Sequence, residues 1–244
     1  MKFQSLIILS LVALNTGCVF GQKNNLVSKN HNNNKIQFGV NYSSDLCFRN
    51  LQNNDGRNST DVIISQRNNL ETPKFGYTSG VNIDYKFRNN WSVETGLQYS
   101  NKGYQTRKNI ANFIYPSPSN YEQYKIIDNF HCLDIPLKIN FRYGNHKIRL
   151  LSSFGITPNI LLKQNQTIIF YYSDRIEKQT TLSNFNYNTF NISPSVSLGV
   201  DFKINQHYHV RIEPTFRYGI LKITDAPVTG YLYNLGLNLG LYLE

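Results

Sequence analysis

The stretch from residue 127 to 162 constrains the fold of this chain more than any other. Apolar residues alternate with polar ones along two arms, 127–141 and 147–162, and a short turn joins them. Alternation of period two is typical of β-strands with one apolar face, and no helical stripe fits this pattern. Each arm exceeds the about 9–11 residues that a tilted strand needs to cross a bilayer.

The same alternation recurs in six further stretches, so the sequence predicts eight strands in one domain. These stretches are 35–45, 74–87, 91–102, 189–203, 208–220 and 231–243. Short turns alternate along the chain with longer polar segments, at about 47–73, 103–124, 163–188 and 222–230. An even number of strands, with the long connections at one end only, is the pattern of an outer-membrane barrel.

Composition leaves two classes of protein. Charged residues make up 16% of the chain, below the roughly 25% typical of soluble domains. No apolar run after residue 21 approaches the roughly 20 residues of a membrane helix. These facts leave a membrane β-barrel or a secreted β-sandwich. The net charge is +10, but Lys and Arg form no clustered stripe, so we expect no nucleic-acid partner.

The beginning of the chain indicates export. One Lys, an apolar run at 6–14 and small residues up to Gly21 predict a signal peptide over residues 1–21, cleaved after Gly21. Lipidation of Cys18 ranks second, because residues 15–17 only partly resemble a lipobox. The polar, Asn-rich residues 22–34 predict a disordered lead, and residues 35–244 would form the barrel.

Aromatic residues in the apolar rows favour the membrane barrel over the sandwich. Amphipathic rings prefer the two headgroup levels of a bilayer, and the rings here fall into two sets. The set flanking the short turns is Tyr85, Phe87, Trp91, Phe141, Phe202 and Tyr208. The set toward the long loops is Tyr42, Phe75, Tyr77, Tyr99, Tyr218, Tyr231 and Tyr233. We therefore expect the apolar rows, which contain no charged residue, to contact outer-membrane lipid.

The polar rows would then face the lumen. An eight-stranded barrel has an interior just wide enough for side chains to fill. Acids and bases at similar depth should pair there, because isolated charges in a narrow space are costly. The sequence thus predicts an eight-stranded antiparallel up-and-down transmembrane β-barrel with a filled polar lumen, closed by salt bridges near the short turns. The predicted lumenal charges are Asp84, Glu94, Lys138, Arg149, Asp201, Arg211 and Glu213.

Short motifs in the central hairpin carry a family resemblance. Residues 133–137, LDIPL, followed by 141–144, FRYG, resemble the PorT-like family of outer-membrane β-barrels of Bacteroidota. The resemblance implies an outer-membrane barrel, and some members of that family are associated with secretion and gliding machinery. Pro136 lacks an amide donor, so we also predict a bulge within its strand.

Catalytic and metal-binding chemistry finds little support. No phosphate loop, HExxH or GxSxG is present. His131 and Ser152 lie in neighbouring apolar rows, but no acid in these rows completes a triad. His209 lies in a lumenal row without a second metal ligand at a suitable spacing. We predict no cofactor and no metal.

The two remaining cysteines, Cys47 and Cys132, can pair or stay free, and we favour two free thiols. Cys132 belongs to the polar row of its strand, and Cys47 follows the first predicted strand.

These patterns predict a non-enzymatic outer-membrane barrel with a structural or interaction role in the envelope. The alternative is a small-solute porin, followed by a lipid-modifying enzyme and by a soluble exported binding module. Aromatic residues in the long loops either contact an envelope protein partner or pack over the barrel mouth. They are Tyr104, Phe113, Tyr115, Tyr121, Tyr124, Phe170, Tyr171 and Tyr172.

Overall fold

The computed structural model describes residues 35–111, 120–144, 147–183 and 185–244. The predicted signal peptide over 1–21 and the predicted disordered lead over 22–34 lie outside the described residues. The described residues form twelve strands and one helix. They are β1 (Ile36–Asn53), α1 (Asn58–Leu70), β2 (Glu71–Thr72), β3 (Lys74–Arg88), β4 (Trp91–Thr106), β5 (Asn109–Ile110), β6 (Gln123–Asp134), β7 (Leu137–Tyr143), β8 (Ile148–Tyr171), β9 (Ile176–Leu182), β10 (Phe190–Lys203), β11 (Tyr208–Tyr218) and β12 (Val228–Leu243).

Eight long strands close into an antiparallel ring. Each strand pairs with its neighbours in the order β1, β3, β4, then β6 and β7 together, β8, β10, β11 and β12. The ring closes between β12 and β1, from Phe38 opposite Leu243 to Asn53 opposite Val228. This confirms the predicted eight-stranded up-and-down barrel.

The apolar residues of the barrel strands face outward. Along β1, exposed and buried residues alternate almost without exception. On β12, the outward leucines from Leu235 to Leu243 are each 44–56% exposed. Among the described residues, buried polar side chains far outnumber buried apolar ones. A soluble sandwich would bury its apolar rows, so this arrangement is the one expected of a barrel surrounded by lipid.

Several strands extend beyond their predicted ends on the long-loop side. β1 continues to Asn53 rather than residue 45, and β8 continues to Tyr171 rather than 162. The segment predicted as a loop over 163–188 contains β9, whose seven residues are all exposed. These outer segments form ladders of backbone hydrogen bonds without burying an apolar row. Hydrophobic alternation alone therefore does not reveal them.

The predicted polar loop over 47–73 contains the helix α1. Before it, the Asn53 side-chain oxygen accepts hydrogen bonds from the backbone amides of Asp55 and Gly56, at 3.2 and 2.8 Å. Gly56 has a φ of 70°, which lets the chain turn sharply into the helix. Asp61 in the first turn interacts favourably with the helix dipole. No helix in the described part of the chain is long and apolar enough to cross a membrane.

The strand that contains Pro136 is interrupted but not bulged there. β6 and β7 keep one common register with β4 and with β8 on either side of the proline. The prediction of a bulge at Pro136 is therefore wrong. A register shift lies instead between His131 and Cys132, where β8 contributes Leu162 as an additional residue.

Candidate functional site in the lumen and outer mouth

Side chains near the short turns join in one ion-pair network centred on Arg211, which is fully buried. Its guanidinium donates to Asp84 Oδ2 at 2.5 Å, to Glu94 Oε2 at 2.7 Å and to Gln37 Oε1 at 3.0 Å. The guanidinium carbon lies 3.6 Å from the centroid of the Tyr242 ring. One cation thus connects residues from four strands across the lumen.

A second arginine of the network, Arg142, was missed by the sequence analysis. We assigned it to a turn, but β7 continues to Tyr143 and places Arg142 inside, 2% exposed. Its Nε lies 3.0 Å from Asp201 Oδ2, its Nη1 donates to Ser92 Oγ at 2.8 Å, and its Nη2 pairs with Asp84. Extending the polar row of this strand by one step would have found it.

The other predicted charges complete the network. Lys138 Nζ lies 2.6 Å from Glu94 Oε1 and 3.9 Å from Glu213 Oε2, and Arg149 Nη2 lies 2.8 Å from Asp201 Oδ2. All seven predicted lumenal residues face the interior. The formal charges cancel, because the carboxylates of Asp84, Glu94, Asp201 and Glu213 face the cations of Lys138, Arg142, Arg149 and Arg211.

His209 links this network to the rim. Its Nδ1 lies 3.2 Å from Asp201 Oδ1, and its Nε2 lies 3.0 Å from Glu244 Oε2. Glu244 also pairs with Lys86 at 2.5 Å. His209 thus has a hydrogen-bonded position in the lumenal row in which the sequence analysis placed it. In the described ranges, no group of three or more His, Cys, Asp or Glu side chains is arranged to hold a metal ion.

A second polar layer lies further toward the long loops. Asp45 accepts a hydrogen bond from the Thr78 hydroxyl at 2.6 Å and lies 3.3 Å from Arg217 Nη1. Lys102 Nζ lies 2.9 Å from Asp134 Oδ2, and both side chains are buried. The lumen is therefore filled by paired side chains at two successive levels.

Above these layers the interior becomes apolar. Buried Tyr104, Phe130, Cys132 and Ile223 form a cluster, against which Phe48, Leu161, Tyr187 and Leu232 pack. Tyr104, assigned to a loop by the sequence analysis, is thus part of β4 and faces inward. Cys47 lies within β1 rather than beyond it, and Cys47 and Cys132 are both buried free thiols.

A cavity of about 520 Å³ opens at the outer mouth, between α1 and the ends of the barrel strands. Arg49 and Glu71 form a two-pronged ion pair in its wall, at 2.9 and 2.5 Å. The Arg49 guanidinium carbon also lies 3.5 Å from the centroid of the Tyr104 ring. The sequence analysis did not predict this cavity, because its wall depends on α1.

The predicted aromatic sets face outward, as their strand positions require. Near the short turns, the Trp91 and Phe141 rings lie 4.7 Å apart, and Tyr85, Phe87, Phe202 and Tyr208 are exposed. Toward the long loops, Tyr218 stacks with Tyr231 and Tyr233, with ring centroids 6.4 and 6.2 Å apart. Phe75 and Tyr77 are also exposed, and Tyr99 is half-buried. Contact with headgroups stays a prediction for both sets.

Tyr42 does not fit the outer set. It lies opposite Leu239, whereas Tyr233 lies opposite Phe48, six residues further along β1. Six residues of strand span about 20 Å. Tyr42 is therefore closer to the middle of the apolar band.

The structure separates the two residues considered for catalysis. The Tyr99 hydroxyl lies 2.5 Å from His131 Nδ1, and Asn165 Oδ1 lies 3.3 Å from His131 Nε2. Cys132, the next residue, lies opposite Leu161 on β8, nine residues from Ser152. Nine residues of strand correspond to about 30 Å, so His131 and Ser152 form no common site.

The family model for the outer membrane protein β-barrel domain matches residues 20–225 of this sequence. The chain belongs to this family. Membership places the protein in the outer membrane, in agreement with its outward apolar rows and filled polar lumen. The matched range ends before β12, but the β12 ladder with β1 shows that this last strand belongs to the same barrel.

Several solved outer-membrane structures are similar to this barrel. Neisserial surface protein A shares 10% identity, with 86% of this chain and 96% of that chain covered and a TM-score of 0.45. OprG from Pseudomonas aeruginosa shares 12%, with 85% and 94% covered and a TM-score of 0.44. The outer membrane protease OmpT from Escherichia coli shares 8%, with 86% and 96% covered and a TM-score of 0.44. No curated protein matches this chain in sequence.

Proposed function

We propose that this barrel is a non-conducting, non-enzymatic component of the outer membrane that acts through its outer end, in a structural or interaction role. The observation that carries the proposal is the closed lumen. Eight charged side chains near the short turns pair with one another, and their charges cancel. A neutral, side-chain-filled interior offers no path to a hydrated ion.

Further layers support this closure. A solute that passed the Arg211 network would meet Lys102 and Asp134, and then the apolar cluster around Tyr104 and Phe130. Losing one partner of a buried ion pair costs about 3–5 kcal/mol, so opening such layers is strongly unfavourable.

The outer end, by contrast, offers surface for contact. β9 pairs with β8 along one edge, and no described strand pairs with its other edge. Ile176, Leu182 and Phe185 are 65%, 70% and 78% exposed there, outside the barrel's apolar band. An unpaired strand edge flanked by exposed apolar residues is the kind of surface that proteins usually cover. Among the predicted loop aromatics, Phe113 and Tyr115 lie outside the described residues.

Residues 133–144 resemble PorT-like barrels, some of which are associated with secretion and gliding machinery. We therefore propose that the partner is an envelope protein of such a machinery. The half-buried aromatic group of Tyr121, Phe170 and Tyr172 lies on the same outer sheet, with the Tyr121 and Phe170 ring centroids 4.7 Å apart.

Conductance tests the closed lumen. The purified chain, reconstituted in planar lipid bilayers, should show no single-channel steps. A charge-balanced variant with Ala at Asp84, Glu94, Arg142 and Arg211 removes two acids and two bases and should show higher conductance. Clear steps from the wild type, or swelling of liposomes that contain it, would favour a small-solute transporter instead.

Site-specific photo-cross-linking in cells tests the interaction role. A photoreactive residue at Leu182, 70% exposed on β9, should yield an adduct with an envelope protein. The matched control is Leu198, 67% exposed on the lipid-facing side of β10, which should yield none. Equal adducts at both positions, or none at Leu182, would remove support for β9 as the contact surface.

A further inference from the structure

The cavity at the outer mouth has the size and walls of a small-molecule site. Its volume of about 520 Å³ lies within the about 300–1,000 Å³ of typical ligand pockets. Aliphatic side chains from α1, β6 and β12 line it, among them Leu70, Ile126 and Val228. It lies beyond the outer aromatic set, at the end of the barrel that carries the long loops.

One wall of this cavity carries a carboxylate without a counter-ion. Asp128 lines the cavity and is 6% exposed. Its Oδ1 accepts hydrogen bonds from Gln164 Nε2 at 3.0 Å and Gln166 Nε2 at 3.3 Å. Within the described ranges, no Lys, Arg or His forms an ion pair with it. This differs from Asp84 or Asp201 in the lumen, each of which contacts at least two cations.

The buried cation in the cavity wall, Arg49, already has other partners. Arg49 holds both oxygens of Glu71 and covers one face of the Tyr104 ring. The formal charges of Arg49, Glu71 and Asp128 sum to −1. Two further cations are the exposed Arg67 of the lining and the buried Lys74, which interacts electrostatically with Asp128, but neither forms an ion pair with it. Burial raises the pKa of the Asp128 carboxyl and Glu71 adds to this rise, while Gln166 and Arg49 oppose it. A cation in the cavity would give Asp128 the direct ion pair that no described Lys, Arg or His provides.

Aromatic rings complete the wall. Tyr187 lines the cavity, with its ring centroid 5.1 Å from Phe130 and 6.3 Å from Phe185. An ammonium group near such a ring is stabilised by its negative face, while an apolar group packs against the neighbouring side chains. Arg67, on the exposed side of α1, is the remaining cation of the lining.

From the carboxylate without a counter-ion and the aromatic wall we infer that the outer mouth binds a small organic cation, an ammonium group attached to an apolar or aromatic body. The site is separate from the closed lumen and does not depend on it. An ammonium N–H would donate to Asp128, and the body of the ligand would occupy the space between Tyr187 and the aliphatic wall.

Calorimetric titration of the full chain in detergent tests this inference, with phenethylammonium as the probe and phenylacetate as its anionic counterpart. Phenethylammonium should bind and phenylacetate should not. Asp128→Asn should weaken binding about tenfold or more, because it removes a charge-assisted hydrogen bond. Tyr187→Leu should weaken it about threefold.

Two matched variants complete the design. Glu177→Gln removes an exposed acid of β9 and should leave the affinity unchanged. Arg67→Gln removes the cation of the rim and should not weaken binding. Thermal unfolding identifies variants that fail to fold. Phenylacetate binding as tightly as the amine, or a folded Asp128→Asn variant with unchanged affinity for the amine, would overturn the inference.

Discussion

The lumen near the short turns and the mouth at the other end are both lined with charged and aromatic side chains. They differ in whether each buried charge has an ion-pair partner. Around Arg211, acids and bases are equal in number and pair with one another. At the mouth, Asp128 is also buried but forms no ion pair in the described part of the chain. The comparison teaches that a barrel of this size can seal one end with its own paired side chains and still leave a carboxylate without a counter-ion at the other end.

Strand geometry explains the difference. Near the short turns, all eight strands are present and close together, so their inward side chains meet across the lumen. At the mouth, β6 and β8 extend further than β3 and β10, and α1 forms one wall. The wider and less regular mouth leaves a cavity between α1 and the strand ends.

The largest expected effect comes from breaking the sealed end. Arg211→Met removes the central cation and leaves Asp84 and Glu94 partly uncompensated, which should cost about 3–5 kcal/mol of unfolding free energy. Denaturant unfolding in lipid vesicles, followed by the fluorescence of Trp91, measures this. The control, Arg175→Met, breaks an exposed ion pair on the outer hairpin and should cost less than about 1 kcal/mol. Equal losses of unfolding free energy in the two variants would show that the buried network stabilises the fold no more than the exposed ion pair does.

A lipid-facing charge should be nearly as costly. Leu237→Lys places an ammonium group in the apolar band of β12 and should cost about 2–4 kcal/mol. Leu182→Lys, at an exposed leucine of β9 outside that band, should change stability by less than about 0.5 kcal/mol. The same denaturant measurement distinguishes them. A negligible cost at Leu237 would argue against a lipid-facing β12.

A glycine beneath the mouth should show an intermediate effect. Gly103 has a φ of 145°, and an added Cβ would lie 1.9 Å from the Asp128 carbonyl oxygen. Gly103→Ala should therefore cost about 1–3 kcal/mol and weaken amine binding by displacing Asp128. Gly56 is a matched control, since its φ is 70° and nothing lies within 4 Å of an added Cβ. Gly56→Ala should leave amine binding intact; a similar loss there would refute the local explanation.

The smallest expected effect is a pH dependence at the mouth. The folded state raises the pKa of Asp128, mainly through burial, so its charged form costs stability at neutral pH and this cost disappears as acid protonates it. Asp128→Asn should therefore be slightly more stable than the wild type at neutral pH, and the two should converge in acid. The groups that act on the Asp128 carboxyl are Gln166, Arg49, Glu71 and Tyr104, and Lys74 also interacts with it electrostatically.

For Glu177, the pKa shift and its effect on stability have the opposite sign. Arg175 hydrogen-bonds to the Glu177 carboxylate and lowers its pKa, so its charged form is favoured in the folded state. Glu177→Gln should be no more stable than the wild type at neutral pH, and any difference should vanish in acid. Unfolding curves over a pH series compare the two variants. If Asp128→Asn is less stable at neutral pH, Asp128 already has a partner.

Much of the barrel was predictable, and most of the misses lie at the ends of strands. The eight strands and the seven lumenal charges follow from period-two alternation, which is strong wherever one row contacts lipid. The pattern fades beyond the bilayer, where β1, β6 and β8 continue without an apolar row and α1 forms in a polar segment. Arg142 was missed because its strand was ended two residues early.

The sequence by itself determined which side of each strand is apolar, and its two aromatic sets favoured a membrane barrel over a secreted sandwich. Within a membrane barrel, a one-residue change of facing would expose charge to acyl chains, so the alternation admits only this facing. Tertiary structure alone decided which acids find partners. Pairing depends on how residues distant in the chain meet across the lumen, as Glu94 meets Arg211 while Asp128 meets no cation among the described residues.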